Sequence, residues 1–280
     1  MAGQFEGLVA WVTGGGSGIG RALALELASR GARVVVSGRR EDRLDEVVTE
    51  LDAAGHHALA VPLDVTDDVA VRRAVDKIVG TFGRMDVAVA NAGVGVTGWF
   101  TKLTDAEWRR QFDVNVFGAV NTARWAVPRL QAHDGRMVFV ASVAGFLTAP
   151  KSIAYSASKA AVRMIGLGLA QELHGTGVTV TTIHPGFVES EIARVDNQGR
   201  LHADKPDPRP QKLMWPTAKA ARVMADAIYK RKREFVFTGH GKVGAFVGQH
   251  MPGVVHFATT RKVAKRNAKA AKAREPGAGE

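Results

Sequence analysis

The chain predicts an α/β domain built on a parallel, doubly wound sheet. Three observations carry this expectation. Apolar runs of strand length alternate with helical stretches over most of the 280 residues. A glycine-rich turn joins the first apolar run directly to the first helix. Neither an internal repeat nor an interior linker breaks the alternation.

The elements follow in order. Leu8 to Val12 is apolar, ends in Thr13 and reads as a buried strand. Gly14-Gly15-Gly16-Ser17-Gly18-Ile19-Gly20 comes next, and the Ala/Leu-rich stretch Arg21 to Ser29 is helical until Arg30-Gly31. Glycines let a backbone approach a pyrophosphate, and a helix N-terminus offers free N–H groups and partial positive charge, so this strand–turn–helix reads as a dinucleotide site. Arg33 to Ser37 is a second buried strand, followed by Gly38-Arg39-Arg40 where such a fold places the adenosine ribose. A carboxylate there suits the ribose 2′-hydroxyl of NAD(H). A guanidinium suits the 2′-phosphate of NADP(H), which it grips with two hydrogen bonds. No acid stands between Ser37 and Glu41, so NADP(H) held by Arg39 is the expected cofactor, with NAD(H) as the alternative. The bland reading is two arginines solvating a helix start.

Arg43 to Ala54 is an amphipathic helix ending at Gly55, and Ala58 to Leu63 a third strand followed by Asp64-Val65. Asp67 caps a helix running to about Phe82. Val87 to Ala90 is a fourth strand closed by Asn91-Ala92-Gly93, and residues 105–131 form one or two helices with Asn115 between apolar neighbours. Residues 136–142 form a fifth strand ending at Ser142. Residues 153–174 form a helix on which Tyr155 and Lys159, at i and i+4, share a face. Val178 to Ile183 is a sixth strand, ending at His184-Pro185-Gly186. A polar, Pro-rich stretch reaches Trp215, residues 217–232 are helical, and Glu234 to Thr238 is a seventh strand. A hydroxyl at a strand end, facing a helix with a phenol and an ammonium, is equipped to bind a carbonyl oxygen and give it a proton.

Composition narrows the function classes. With no cysteine, disulfides, thiol nucleophiles and cysteine metal sites are excluded, and His56-His57 lacks ligand partners at useful spacing, so no metal site is expected. No signal peptide and no apolar run of about 20 residues is evident. Of the formal charge of +11, residues 261–280 supply +5 through seven Lys or Arg against two Glu. That is a basic tail and not a basic domain, so nucleic-acid binding by the body is not expected.

In order and spacing, these motifs resemble the short-chain dehydrogenase/reductases over roughly residues 5–240. The resemblance rests on Thr13-Gly14-x-x-x-Gly18-x-Gly20, Asp64-Val65, Asn91-Ala92-Gly93, the set Asn115, Ser142, Tyr155 and Lys159, and Pro185-Gly186-x-Val188-x-Ser190. Ser190 stands where threonine is commoner, and Ala90 where the family often has a first asparagine. The resemblance implies a three-layer Rossmann fold with seven parallel strands in the order 3-2-1-4-5-6-7. It implies adenine contact at Asp64, nicotinamide contact at the Pro185 to Ser190 segment, and cofactor contact at Gly16, Ser17 and Ile19. It also implies that Tyr155 is the general acid or base, its pKa lowered by Lys159. Ser142 binds the substrate oxygen, Lys159 also binds the nicotinamide ribose, and Asn115 holds a relay water. A homodimer or homotetramer through the 105–131 and 153–174 helices is implied as well.

Ile192, Leu201, Leu213, Met214 and Trp215 are candidates to line an apolar substrate pocket, with Val94, Val96, Trp99, Phe100, Phe146, Leu147 and Phe187 flanking the catalytic groups. No cluster of arginines marks a highly charged substrate, so a hydrophobic alcohol or ketone of lipid, retinoid or steroid type is expected. Residues 1–240 form the domain and 241–280 an extension, in which apolar residues between Val243 and Phe257 lead into a basic run. The extension either packs on its own lid or a neighbouring subunit, or lies on a membrane surface. The expected location is cytoplasmic, with membrane association as the alternative. The competing functions are a cofactor-sensing binding protein and a membrane-surface or nucleic-acid adaptor. Neither needs Tyr155 and Lys159 together with Ser142 and Asn115.

Overall fold

Burial of strands on both faces explains the architecture. The computed structural model describes residues 3–272. Its strands are β1 (Val9–Thr13), β2 (Arg33–Gly38), β3 (Ala58–Pro62), β4 (Val87–Ala90), β5 (Arg136–Val140), β6 (Thr179–His184) and β7 (Glu234–Val236). They form one parallel sheet in the order β3-β2-β1-β4-β5-β6-β7. Alternate residues serve opposite layers. Ala10 and Val12 of β1 pack with Val34, Val36, Val138 and Val140 beneath α1 (Gly18–Ser29), α2 (Glu41–Ala53) and α7 (Thr217–Tyr229). Val9 and Trp11 pack with Val35, Met137 and Phe139 beneath α3 (Asp68–Phe82), α5 (Gly118–Gln131) and α6 (Ile153–Glu172). The expected three layers and strand order are therefore present.

Local chemistry sets the element ends. Asp67 caps α3 by accepting a hydrogen bond from Ala70 N at 3.0 Å, and the left-handed Gly83 stops it. Thr104 and Glu107 form a reciprocal capping box at the start of α4 (Asp105–Phe112). Between α4 and α5 the backbone winds one π-helical turn, Asp113–Phe117, with Asn115 inside it. The expected one or two helices are thus two, joined by a wider turn. The seventh strand stops at Val236, short of the predicted Thr238. Thr238 instead accepts from Gly241 N at 3.2 Å and caps α8 (Gly239–His250), which α9 (Pro252–Lys272) follows. The last residues of the basic tail, 273–280, lie outside the described residues.

The strand order reverses between β1 and β4, and the crevice opens at the carboxyl ends there. Asn91 ties the two ends together: its Nδ2 donates to Thr13 O at 2.9 Å, and its backbone N donates to Thr13 Oγ1 at 3.1 Å. Thr13 Oγ1 donates in turn to Val89 O at 3.1 Å.

Candidate active site

Small residues set the floor of the crevice. At Gly14, φ is +66°, and a Cβ would lie 2.9 Å from both Ala92 Cα and Asn91 Nδ2. At Gly20 a Cβ would collide with Gly14 O. The turn therefore folds tightly against the end of β4 and against its own helix. Ser17 precedes α1 without capping it through its side chain, so N–H groups of the first helical turn stay free for an anion. Nearby, Asn121 Nδ2 donates to Val65 O at 3.0 Å, and Asp64 Oδ1 accepts from Thr66 N at 2.9 Å, which fixes the 64–66 loop.

Three guanidiniums line the outer mouth. Arg39 is half exposed, with Nη1 4.0 Å from Asp64 Oδ2. Arg40 Nη2 donates to Ser17 Oγ at 3.1 Å and to Glu191 Oε2 at 2.8 Å, bridging the glycine turn and the segment after β6. Arg43 completes the set. Arg110 also sits near Arg39; burial, and then the Arg39 charge, pull its pKa down.

The inner end holds the titratable groups. Ser142 lies just past β5 and caps a short turn at Val143–Gly145, its Oγ accepting from Ala144 N at 3.1 Å. On α6, Lys159 is buried, and its Nζ donates to Val140 O at 2.8 Å while lying 5.9 Å from the Tyr155 ring centroid. Desolvation lowers Lys159 to about 8. Tyr155 keeps part of its surface open to the crevice, yet burial pushes its phenol up. A hydrogen bond from Ser142 and the Arg209 charge pull the other way. Burial outweighs both, so the phenol stands above its ordinary value, and the lowering expected from Lys159 is not among the effects acting on it.

Below Ser142 a buried network braces the strand ends. His184 Nε2 is 2.9 Å from Glu234 Oε1, its Nδ1 is 3.3 Å from Ser142 O, and Arg163 Nε donates to Glu234 Oε1 at 2.7 Å. Burial, more than the Arg163 charge, lowers the His184 pKa, while Glu234 opposes it.

A crevice of about 630 Å³ joins both ends, within the range of small-molecule sites. A phosphate-ready turn at one end and a phenol–hydroxyl–lysine set at the other is an oxidoreductase layout. Comparison with known proteins agrees. The family model described as short chain dehydrogenase matches residues 8–201. The chain belongs to the short-chain dehydrogenase family. An uncharacterized oxidoreductase of Staphylococcus aureus (strain MRSA252) is 40% identical over 190 residues, covering 68% of this chain and 81% of that protein. One from Myxococcus xanthus (strain DK1622) is 36% identical over 255 residues, covering 91% of this chain and 96% of that protein. A short chain dehydrogenase from Burkholderia cenocepacia J2315, solved in complex with NADP, superposes with a TM-score of 0.76 at 30% identity. It covers 85% of this chain and 99% of its own.

Within this short-chain dehydrogenase, the predicted site residues gather with one exception. Gly14, Gly16, Ser17, Gly18, Ile19, Gly20, Arg39, Asp64, Val65, Asn91, Ala92, Gly93, Ser142, Tyr155, Lys159, Pro185, Gly186, Val188 and Ser190 all line the crevice. Asn115 does not. Its Oδ1 accepts from Val94 N at 2.8 Å, and its Nδ2 donates to Val94 O at 3.1 Å and Ser158 Oγ at 3.0 Å. Its side chain braces the loop after β4, with both Nδ2 hydrogens engaged and one acceptor position of Oδ1 filled.

Of the apolar candidates, three line the crevice and four contact other rings. Ile192, Leu201 and Val94 reach the crevice, joined by Val114 and Val195. Phe146 packs on the His184 ring, Phe187 stacks on His240, Trp215 packs on Phe237, and Phe100 meets Trp108. Sequence reasoning missed Arg209. Its Nη1 donates to Val188 O at 3.0 Å and Ser190 Oγ at 3.2 Å, and its guanidinium pairs with Asp207 at 2.6 Å. Its signal in the sequence is the Asp-Pro-Arg-Pro run, where Asp207 Oδ1 also accepts from Arg209 N at 3.0 Å.

Proposed function

We propose that the chain reduces a carbonyl, or oxidises the matching alcohol, using NADP(H). The observation that carries this reading is one crevice with the glycine turn and three arginines at its mouth, and Ser142, Tyr155 and Lys159 at its inner end. The residues fit a dinucleotide: free helix-end N–H groups for the pyrophosphate, Asp64 and Val65 for the adenine, Arg39, with Arg40 and Arg43 beside it, for a 2′-phosphate, and Pro185 to Ser190 for the nicotinamide. The neighbouring Burkholderia structure, solved with NADP, supports the same cofactor here. When bound, the nicotinamide supplies or accepts the hydride.

The chain's own groups handle the proton. Ser142 Oγ binds the substrate oxygen and stabilises negative charge growing on it. Tyr155 Oη gives that oxygen its proton in reduction and takes it back in oxidation. With its pKa raised by burial, Tyr155 carries its proton near neutrality and has it in place for the reductive step. Lys159 holds the nicotinamide ribose. Ile192, Leu201, Val94, Val114 and Val195 favour an apolar substrate of lipid, retinoid or steroid type. Phe117 and Met164, exposed on or beside α5 and α6, support pairing with a second copy through those helices.

A panel of apolar ketones and aldehydes with NADPH, followed by cofactor absorbance, tests the function; no consumption with any of them argues against it. The Lys159 role has its own test. Its ammonium loses its proton as pH rises through about 8, so NADPH affinity is expected to fall above that pH. Lys159→Met is expected to bind weakly and without that inflection, as fluorescence titration across pH would show. An unchanged inflection removes Lys159 from the cofactor.

A further inference from the structure

The two carboxyl-terminal helices carry their bulk on the wrong side for a protein surrounded by water. On α8, the residues turned inward are small: Gly241 and Ala245 are buried, and Gly244 and Gly248 meet Leu147 and Phe146. His240, near its start, accepts a hydrogen bond from Phe187 N at 3.0 Å, so the helix is fastened beside the catalytic end of the sheet. Facing outward are Val243 at 64% and Phe246 at 60% exposure, followed by Met251 at 46%, Val254 at 49% and Phe257 at 63%. Ordinary surface helices show the opposite arrangement. The inner face of α8 packs on the protein itself, and these five side chains lie on the other, open side.

Charge identifies the occupant. From residue 239 to residue 274 the sequence has eight Lys or Arg and no Asp or Glu. Arg261 stands over the Phe257 ring at 5.3 Å, so cation and apolar surface adjoin. A twofold contact between two copies sets each patch against its own like and would oppose cation to cation. An anionic bilayer offers an apolar interior for the aromatic side chains and negative headgroups for the basic ones. We infer that the outer face of α8 and α9 docks on an anionic phospholipid surface. Peripheral contact is meant: among the described residues, no helix is long and apolar enough to cross a membrane.

Co-sedimentation of the full chain with vesicles tests this, using phosphatidylcholine alone and phosphatidylcholine mixed with phosphatidylserine. The reading concerns binding alone and is independent of turnover. The protein is expected to pellet with the mixed vesicles, to remain in solution with phosphatidylcholine alone, and to be released by high salt. Phe246→Glu combined with Phe257→Glu is expected to lower partitioning at least about tenfold with the melting temperature and gel-filtration mass unchanged. Arg261→Glu with Lys262→Glu, which leaves the apolar side chains in place, is expected to weaken the phosphatidylserine-dependent part. Protein that stays in the supernatant with both vesicles, equal pelleting with both, or aromatic variants that pellet like the parent would overturn the inference. So would a concentration-dependent dimer that the aromatic variants abolish in the absence of vesicle binding, because the face would then belong to a second copy.

Discussion

Tyr155→Phe is expected to cut turnover by about 10²- to 10⁴-fold, the usual worth of a positioned acid or base, while NADPH affinity changes little. The substitution removes one oxygen from a ring that α6 already holds in place. Ser142 then keeps its own bonds to Ala144 N at 3.1 Å and Pro185 O at 3.5 Å, so the wall of the crevice survives. Steady-state rates and a fluorescence titration on the same preparation check it. Turnover near the parent value removes Tyr155 from the proton step. Equal loss of affinity and rate recasts the phenol as a binding group.

The second large effect concerns the mouth. Arg39→Ala is expected to weaken NADPH by about ten- to a hundredfold, the range for a lost hydrogen bond to a charged group, and NADH far less. Arg39 carries this prediction because its guanidinium is half exposed and loosely paired, 4.0 Å from Asp64. Arg40 is already engaged with Ser17 and Glu191, so Arg40→Ala is expected to affect both cofactors more evenly. Paired Kd values for the two cofactors decide the matter. Matching losses of NADPH and NADH in Arg39→Ala dismiss a 2′-phosphate contact there.

The sheet was legible in the sequence because its signals are local. Valine-rich runs of four to six residues, a glycine turn beside the first, and Asp67 before its helix each announce themselves within one element. The gathering of Gly14, Asn91, Ser142 and Tyr155 came from recognising their joint order, since no single motif specifies a crevice. What escaped depends on distance. Arg40 and Glu191 are 151 positions apart and meet only after the chain has folded. Arg209 lines the same crevice as Tyr155 but comes from a loop without periodicity. The Asn115 side chain sits correctly in sequence, but the π-helical turn carries it against Val94 and Ser158. Aromatics near a site read as pocket lining until packing partners such as His184 and His240 are seen to claim them.

The stitch that Asn91 makes between the tips of β1 and β4 has a consequence for affinity. Those bonds are made when the chain folds, so the gap between the two tips has its width before any ligand arrives. The ordering entropy is charged to folding, and a visiting molecule loses mainly its own freedom. Weakening the stitch, as Asn91→Ala does, would transfer that charge to the binding event, where a slower and looser capture would reveal it.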